Sequence, residues 1–207
     1  MKDDATVFVV DDDAGVRDSL RWVIESAGLK VETFACARDF LDAYDPSRPG
    51  CLVLDIRMPG MSGMDLQKEL VARRIDIGII FITGHATVAT AVHAMRAGAV
   101  DFITKPFSDQ ALLDRVTECI ERARRRYRQR LERADVAARF ALLTPREHEI
   151  MNDVVSGKSN KVIAAERNIS QKTVEAHRAK MMQKLQARSL AELMRMVLPQ
   201  EDLREKP

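Results

Sequence analysis

This sequence predicts a doubly wound, five-stranded parallel α/β sheet followed by a long linker helix and a small all-α module. Three observations predict it. Over roughly the first 120 residues short β-rich runs alternate with helical patterns; from Ser108 to about Phe140 no glycine or proline interrupts a helical stripe; the remainder holds four short helical segments and no strand. Strict alternation builds a parallel sheet from βαβ units, while strandless helices pack into a layer of their own.

The strands fall at 6–10, 29–34, 51–55, 78–83 and 100–104, several of them near-continuous apolar runs, as strands covered on both faces require. Helices are expected near 14–27, 37–43, 62–73, 87–97 and from 108 onward, with Gly28 and Gly98 at the left-handed position after a helix. In the long helix Leu113, Val116, Ile120, Ala123, Tyr127, Leu131, Ala134 and Ala138 recur at three and four residues. Its second half carries eight arginines between Arg122 and Arg139 against Glu132 and Asp135, which marks a solvated segment suited to face DNA or to form a dimer. Thr144-Pro145-Arg146-Glu147 opens the last module, with Thr144 as N-cap, Pro145 as first helical residue and Glu147 as the returning arm of a capping box. Gly157 stops that helix. Shorter ones are expected at 160–167, 170–185 and 189–198, the last with a second capping box from Ser189 and Glu192.

At 207 residues the chain suits two small domains. Hydrophobic residues at 46% and charged ones at 31% exclude whole-chain disorder. No apolar run approaches the roughly 18 residues of a membrane span, and the acidic start Met1-Lys2-Asp3-Asp4 does not read as a signal peptide. A soluble, cytoplasmic protein with no membrane partner is the expectation. Cys36, Cys51 and Cys119 are odd in number and lack C-x-x-C spacing, so they are read as small buried apolar residues rather than a disulfide framework or zinc site. The net charge of +2 hides an asymmetry: residues 1–121 carry 13 basic and 20 acidic side chains, net −7, and residues 122–207 carry 20 and 11, net +9. An acidic part joined to a basic part suggests different partners, the basic one fitting a polyanion or, equally, an ordinary solvated face.

In a doubly wound sheet the ligand site lies beyond the carboxyl ends of the strands. There the first strand ends in Asp11-Asp12-Asp13 and the third in Asp55, carboxylates whose crowding calls for a cation. Hard oxygen ligands with room for water suit Mg2+, which favours one or two carboxylates plus phosphate. Thr83 ends the fourth strand and Lys105-Pro106 follows the fifth, adding a hydroxyl and an ammonium. Together these describe a phosphate site: Asp55 as nucleophile, the metal neutralising it and the incoming phosphoryl group, and Lys105 and Thr83 binding phosphoryl oxygens. Singly, each residue also has a structural explanation, as a helix cap or a solvated charge; the ordered set at four strand tips is the specific signal. A phosphatase or other phosphotransferase would use the same nucleophile, but the haloacid-dehalogenase type needs a second Asp two residues on, where this chain has Arg57. A phosphoryl-aspartate here is therefore expected to persist as a signal, and the chain is expected not to be an enzyme.

This part of the chain resembles the receiver domains of two-component response regulators, whose fold is flavodoxin-like, through V-F-V-V-D-D-D at 7–13, L-D-I-R-M-P-G-M-S-G at 54–63, I-T-G-H at 82–85 and D-F-I-T-K-P-F at 101–107. The resemblance implies that Asp55 accepts phosphate from a histidine kinase, that Asp11, Asp12, Asp55 and the Arg57 carbonyl organise Mg2+, and that Thr83, Phe102 and Lys105 transmit the change. It also implies a helix-capping role for Asp13 and a cis Lys105-Pro106 peptide. Ala89 stands where close relatives often have proline, at a helix start away from the chemistry.

Downstream, residues 160–178 read as two helices joined by a tight turn at Asn168, the spacing of a helix-turn-helix. Ile163, Ala164, Ile169, Val174 and Met181 would form its core, leaving Lys161, Lys172, Thr173, Arg178 and Lys180 for phosphates. By geometry alone a three-helix packing module fits as well; ten basic against six acidic residues over 144–198 favour DNA. The segment 143–198 resembles the DNA-binding domain of LuxR/FixJ-class transcription regulators, in L-T-P-R-E at 143–147, N-K-V-I-A at 160–164 and I-S-Q-K-T-V-E-A-H at 169–177. That resemblance, with helical phase, aims Glu175, Ala176 and Ala179 at base edges and adds Asn160 and His177 to the DNA-contacting set. Arg167 replaces the family's usual apolar residue and Asn168 a frequent glycine. Asparagine tolerates the left-handed turn, and the aliphatic stem of Arg167 is expected to fill the apolar position. The organisation expected is a receiver at 1–121, a basic helical linker at 122–142 and a helix-turn-helix domain at 143–207. The whole reads as a phosphorylation-activated regulator that pairs as a homodimer on promoter DNA, with RNA polymerase a further candidate partner. A receiver acting only through protein partners is the alternative.

Overall fold

The computed structural model describes residues 5–84 and 87–197. The first part alternates β1 (Thr6–Val10), α1 (Ala14–Ser26), β2 (Lys30–Phe34), α2 (Ala37–Ala43), β3 (Gly50–Asp55), α3 (Gly63–Ala72), β4 (Gly78–Thr83), α4 (Val88–Arg96), β5 (Asp101–Thr104) and α5 (Asp109–Ala141). After it come α6 (Pro145–Val155), α7 (Asn160–Glu166), α8 (Gln171–Leu185) and α9 (Leu190–Val197). The sequence reading of Leu198 as helical lies outside the described residues.

The strands form one parallel sheet in the order β2-β1-β3-β4-β5. From β1 the chain steps out to β2 and then crosses back to β3, so β1 and β3 pair side by side, Val10 opposite Leu54, where the winding reverses. Connections leaving the two tips diverge there and open the crevice in which such sheets bind ligands. Alternation along each strand sorts the core into two layers. Phe8, Val10, Leu52, Leu54 and Phe81 meet Phe40, Leu66 and Ala94 from α2, α3 and α4. Val7, Val9, Val53, Ile80 and Ile82 meet Leu20 and Ile24 from α1 and Leu112 and Val116 from α5. The central strands are buried almost end to end, whereas the edge strands β2 and β5 are only half covered.

Caps fix the helix ends. Asp13 accepts the Gly15 and Val16 N–H groups at the start of α1, and Gly28 and Gly98 take φ of +74° and +94° after α1 and α4. Two expectations change. The fully buried face of α5 is Leu112, Val116, Cys119 and Ile120, while Leu113 is half-buried one residue off the centre of that face. Cys51 and Cys119 are buried as expected, but Cys36 is only half-buried and caps α2, its Sγ accepting the Asp39 N–H at 3.5 Å.

Two compact units divide between Gln129 and Arg130, inside α5. The second has its own core of Ile150, Val154, Ile163, Val174, Met181, Leu185 and Leu193. The Thr144–Glu147 capping box forms as read. At the start of α9, Ser189 Oγ accepts the Glu192 N–H at 3.1 Å, but the Glu192 carboxylate returns to the Arg188 N–H at 2.9 Å, one residue earlier than a capping box requires. No helix among the described residues is long and apolar enough to cross a membrane.

Candidate functional site

Four strand tips meet at the carboxyl end of the sheet. Asp11 follows β1, Asp55 ends β3, Thr83 ends β4 and Lys105 follows β5. The Lys105 ammonium donates to Asp11 Oδ2 at 2.8 Å and to Asp55 Oδ1 at 3.1 Å, so one cation bridges two buried carboxylates. Asp55 Oδ2 accepts the Arg57 N–H at 2.7 Å, and Asp11 Oδ1 accepts the Asp13 N–H at 2.9 Å. Lys105 is itself anchored, its N–H donating to the Thr83 carbonyl at 2.8 Å before the cis Lys105–Pro106 peptide. Arg17, which no sequence pattern singled out, ties down the acidic loop by donating to the carbonyls of Asp11 at 2.7 Å and Asp12 at 2.9 Å.

Burial pushes the Asp55 carboxyl above its ordinary range, although the Lys105 ammonium and the Arg57 N–H pull the other way. Burial would lower the Lys105 ammonium, but hydrogen bonds to Asp11 and Asp55 outweigh it and hold the group above its usual value. The site is therefore short of positive charge. Asp12 is exposed beside it. Among the described residues no group of three or more His, Cys, Asp or Glu side chains makes a ready-made metal cage. Two buried carboxylates, an exposed third and a nearby backbone carbonyl nonetheless fit a cation that keeps several waters, which is the habit of Mg2+.

Geometry around the nucleophile candidate is tight. Gly63 donates its N–H to the Ile56 carbonyl at 3.0 Å, and a Cβ at 63 would collide with the Asp55 carbonyl oxygen. Thr83 is buried, and Phe102 is half-buried with its ring 6.4 Å from that of Phe81. His85, part of the motif after β4, lies outside the described residues.

In the second unit α7 and α8 are joined through Asn168, which takes a φ of +53°, and Ser170 caps α8 by accepting the Thr173 N–H at 3.0 Å. Ile163, Ala164, Val174 and Met181 are buried and Ile169 is packed against them. Lys161, Lys172, Thr173, Glu175, Ala176, Ala179 and Lys180 are exposed, and Asn160, His177 and Arg178 half-buried. Arg178 donates to Asn160 Oδ1 at 2.6 Å, a pairing across the two helices that spacing alone did not show. Arg167, whose aliphatic stem was expected at an apolar position, is half-buried. Its guanidinium binds Asp153 at 2.9 Å and Glu149 at 2.8 Å, with Lys158 meeting the same Asp153 at 3.0 Å. Buried Asp153 would be costly alone, and this ion network compensates it.

Comparison with known proteins bears on both units. The model of the response regulator receiver domain matches residues 7–117, and that of the bacterial regulatory proteins of the luxR family matches residues 141–197. The chain is a response regulator of the LuxR/FixJ class. Nodulation protein W of Bradyrhizobium diazoefficiens is 47% identical to this response regulator over 93% of the chain and 85% of its own length. Transcriptional regulatory protein FixJ of the same organism is 44% identical over 93% and 94%. The solved structure of response regulator StyR matches with a TM-score of 0.89 at 46% identity, covering 94% of this chain and 98% of its own. A receiver joined to a LuxR-type helix-turn-helix makes the response regulator a phosphorylation-activated, DNA-binding regulator of transcription.

Proposed function

We propose that Asp55 is the phospho-acceptor, that a histidine kinase supplies the phosphoryl group, and that the resulting change controls binding of the helix-turn-helix to promoter DNA. The observation that carries this reading is the Lys105 ammonium poised between Asp11 and Asp55 at 2.8 and 3.1 Å. An Asp55 oxygen attacks phosphorus, the phosphorus–nitrogen bond of the donor phosphohistidine breaks, and the departing imidazole keeps the electron pair. Mg2+ held by Asp11, Asp12, Asp55 and the Arg57 carbonyl would supply the positive charge that lets an anionic nucleophile meet an anionic phosphoryl group. Lys105 then exchanges its carboxylate contacts for a phosphoryl oxygen, and the Thr83 hydroxyl takes another. About −1.5 to −2 of added charge biases a two-state receiver, with Phe102 following Thr83.

On DNA, α8 enters the major groove with Glu175, Ala176 and Ala179 toward base edges, and Asn160, Lys161, Lys172, Thr173, His177, Arg178 and Lys180 serve the backbone. Glu175 can accept from a cytosine amino group. Phosphorylation pairs two such domains as a homodimer, in the cytoplasm, with RNA polymerase as a further partner. The functional division is a receiver at 1–121, a linker at 122–142 and a DNA-binding domain at 143–207.

Incubation with labelled acetyl phosphate and Mg2+ tests the acceptor. Wild type should take label and gain promoter affinity, Asp55→Asn should do neither, and labelling retained in Asp55→Asn would sink the assignment. Thr83→Ala should take label yet gain little affinity. Lengthening the spacing between half-sites in single base pairs tests pairing: affinity should collapse about half a turn out of phase with the ~10 bp repeat.

A further inference from the structure

We propose that the linker half of α5 is a second DNA-binding surface, on which Arg122, Arg125, Arg126, Arg130 and Arg133 bind duplex phosphates next to the site gripped by the helix-turn-helix. The proposal rests on the DNA-binding reading above. Residues 122–133 contain seven arginines and one acid, Glu132, a net +6 in twelve positions. At 3.6 residues per turn, five of the seven fall within one arc of about 140° on the helix surface. All five are exposed, whereas Arg124, off that arc, is half-buried.

The counter-charges on Arg122 and Arg126 offset them only weakly. Arg122 pairs with Glu118 at 2.5 Å and Arg126 with Asp76 at 2.7 Å, but every partner in these pairs is well exposed, the regime in which ion pairs contribute little. Like charges meanwhile recur at helical neighbours, Arg122–Arg126–Arg130 at four residues and Arg122–Arg125 and Arg130–Arg133 at three, which weakens the helix that displays them. A polyanion laid along the stripe removes that repulsion. From Arg122 to Arg133 the helix rises about 16 Å, a length over which duplex DNA presents roughly ten phosphates. Every cation of the segment is arginine and none lysine, the side chain whose planar fork matches phosphate oxygens in pairs.

Duplex DNA is the polyanion the surroundings favour. A helix that lies on an anionic membrane needs an apolar face opposite its charges, and opposite this stripe stand Arg124, Arg128 and Asp135 around Leu131. Thr144, which opens the DNA-binding domain, follows Arg133 by only eleven residues, so DNA held by that domain is present at the stripe at high effective concentration.

The test is the salt dependence of binding to a duplex of random sequence, measured on the full chain. In Arg125→Gln/Arg130→Gln/Arg133→Gln the slope of log affinity against log salt should flatten by about two to three, roughly 0.9 for each phosphate no longer neutralised, with the loss of affinity growing as salt is lowered. Glutamine keeps helix propensity, so circular dichroism should not change. A second variant, Glu132→Gln, removes the one acid at the edge of the stripe and should tighten binding. Wild-type slopes in both variants would overturn the proposal while leaving the helix-turn-helix intact, since Arg178→Ala must still flatten the slope. Failure of wild type to bind any duplex would instead overturn the DNA-binding reading itself. Loss of binding to phosphatidylserine vesicles by the triple variant, with an unchanged DNA slope, would assign the stripe to a lipid surface and also overturn it.

Discussion

Two clusters of buried carboxylates, one in each unit, are made of the same residue types and behave in opposite ways. At the strand tips Asp11 and Asp55 share the single Lys105, and burial carries the Asp55 carboxyl above its ordinary range. In the helical unit Asp153 alone receives both Lys158 and Arg167, and Glu147 receives Lys184 at 2.6 Å together with the Thr144 N–H at 2.9 Å. The bonds from Lys184 and Thr144 bring Glu147 down to about 2; Asp153 is lowered too, the cations on it outweighing its burial. One cluster has more acids than cations and so has room for further positive charge. The other is closed, and its work is to hold helices together. Counting donors against buried carboxylates, rather than counting carboxylates, separates the chemical site from the structural one.

The largest effect expected from this difference is on Lys184→Met. Glu147, 3% exposed, would keep only the backbone N–H and the Thr144 hydroxyl, and the helical unit should lose about 3 kcal/mol in urea unfolding. A loss under about 1 kcal/mol would show that the pair is not what makes Glu147 tolerable there. Acid comes next. Because the folded-state value of Glu147 lies below its ordinary 4.5, its contribution is complete above pH 4.5 and disappears as pH falls toward about 2. Amide exchange at Ile150 and Val174 should accelerate through that window. Asp55 has the opposite sign, favouring the fold when protonated and losing that as pH rises through its raised value. Asp55→Asn should therefore raise receiver stability at neutral pH, with the gap closing in acid. Thermal unfolding that shows a destabilised variant would place Asp55 with the closed clusters. Smallest of all, Mg2+ at its dissociation constant should stabilise the wild-type receiver by about 0.4 kcal/mol and Asp55→Asn by less.

Much of this was legible in the chain beforehand, for local reasons. Strand and helix ends fall within one residue of the sequence reading because caps and periodicity are written locally, as at Asp13, Thr144 and Gly98. Convergence of Asp11, Asp55, Thr83 and Lys105 was legible because parallel strands in a doubly wound sheet put their carboxyl ends on one edge. Pairwise partners were not. That one ammonium spans Asp11 and Asp55, that Arg17 holds the acidic loop by its carbonyls, that Arg178 is held by Asn160 and that Arg167 answers Asp153 are all contacts between residues with no shared period. The partner of Arg167 was hidden for a physical reason: a long side chain can carry its guanidinium to any nearby acid, and only the fold shows that Asp153 is within reach.

Gly63 carries a consequence for anyone who would rewire this protein. Its missing side chain leaves the space taken by the Asp55 carbonyl, with its N–H fastened to Ile56. In a saturation library the position should tolerate none of the other amino acids, alanine included, and the losses should score as signalling failures although residue 63 touches no phosphate. Sensor kinases could be exchanged, or output domains grafted onto the end of α5, without disturbing this spot. Transplanting the Asp55 loop alone into a foreign scaffold would fail unless the glycine travelled with it.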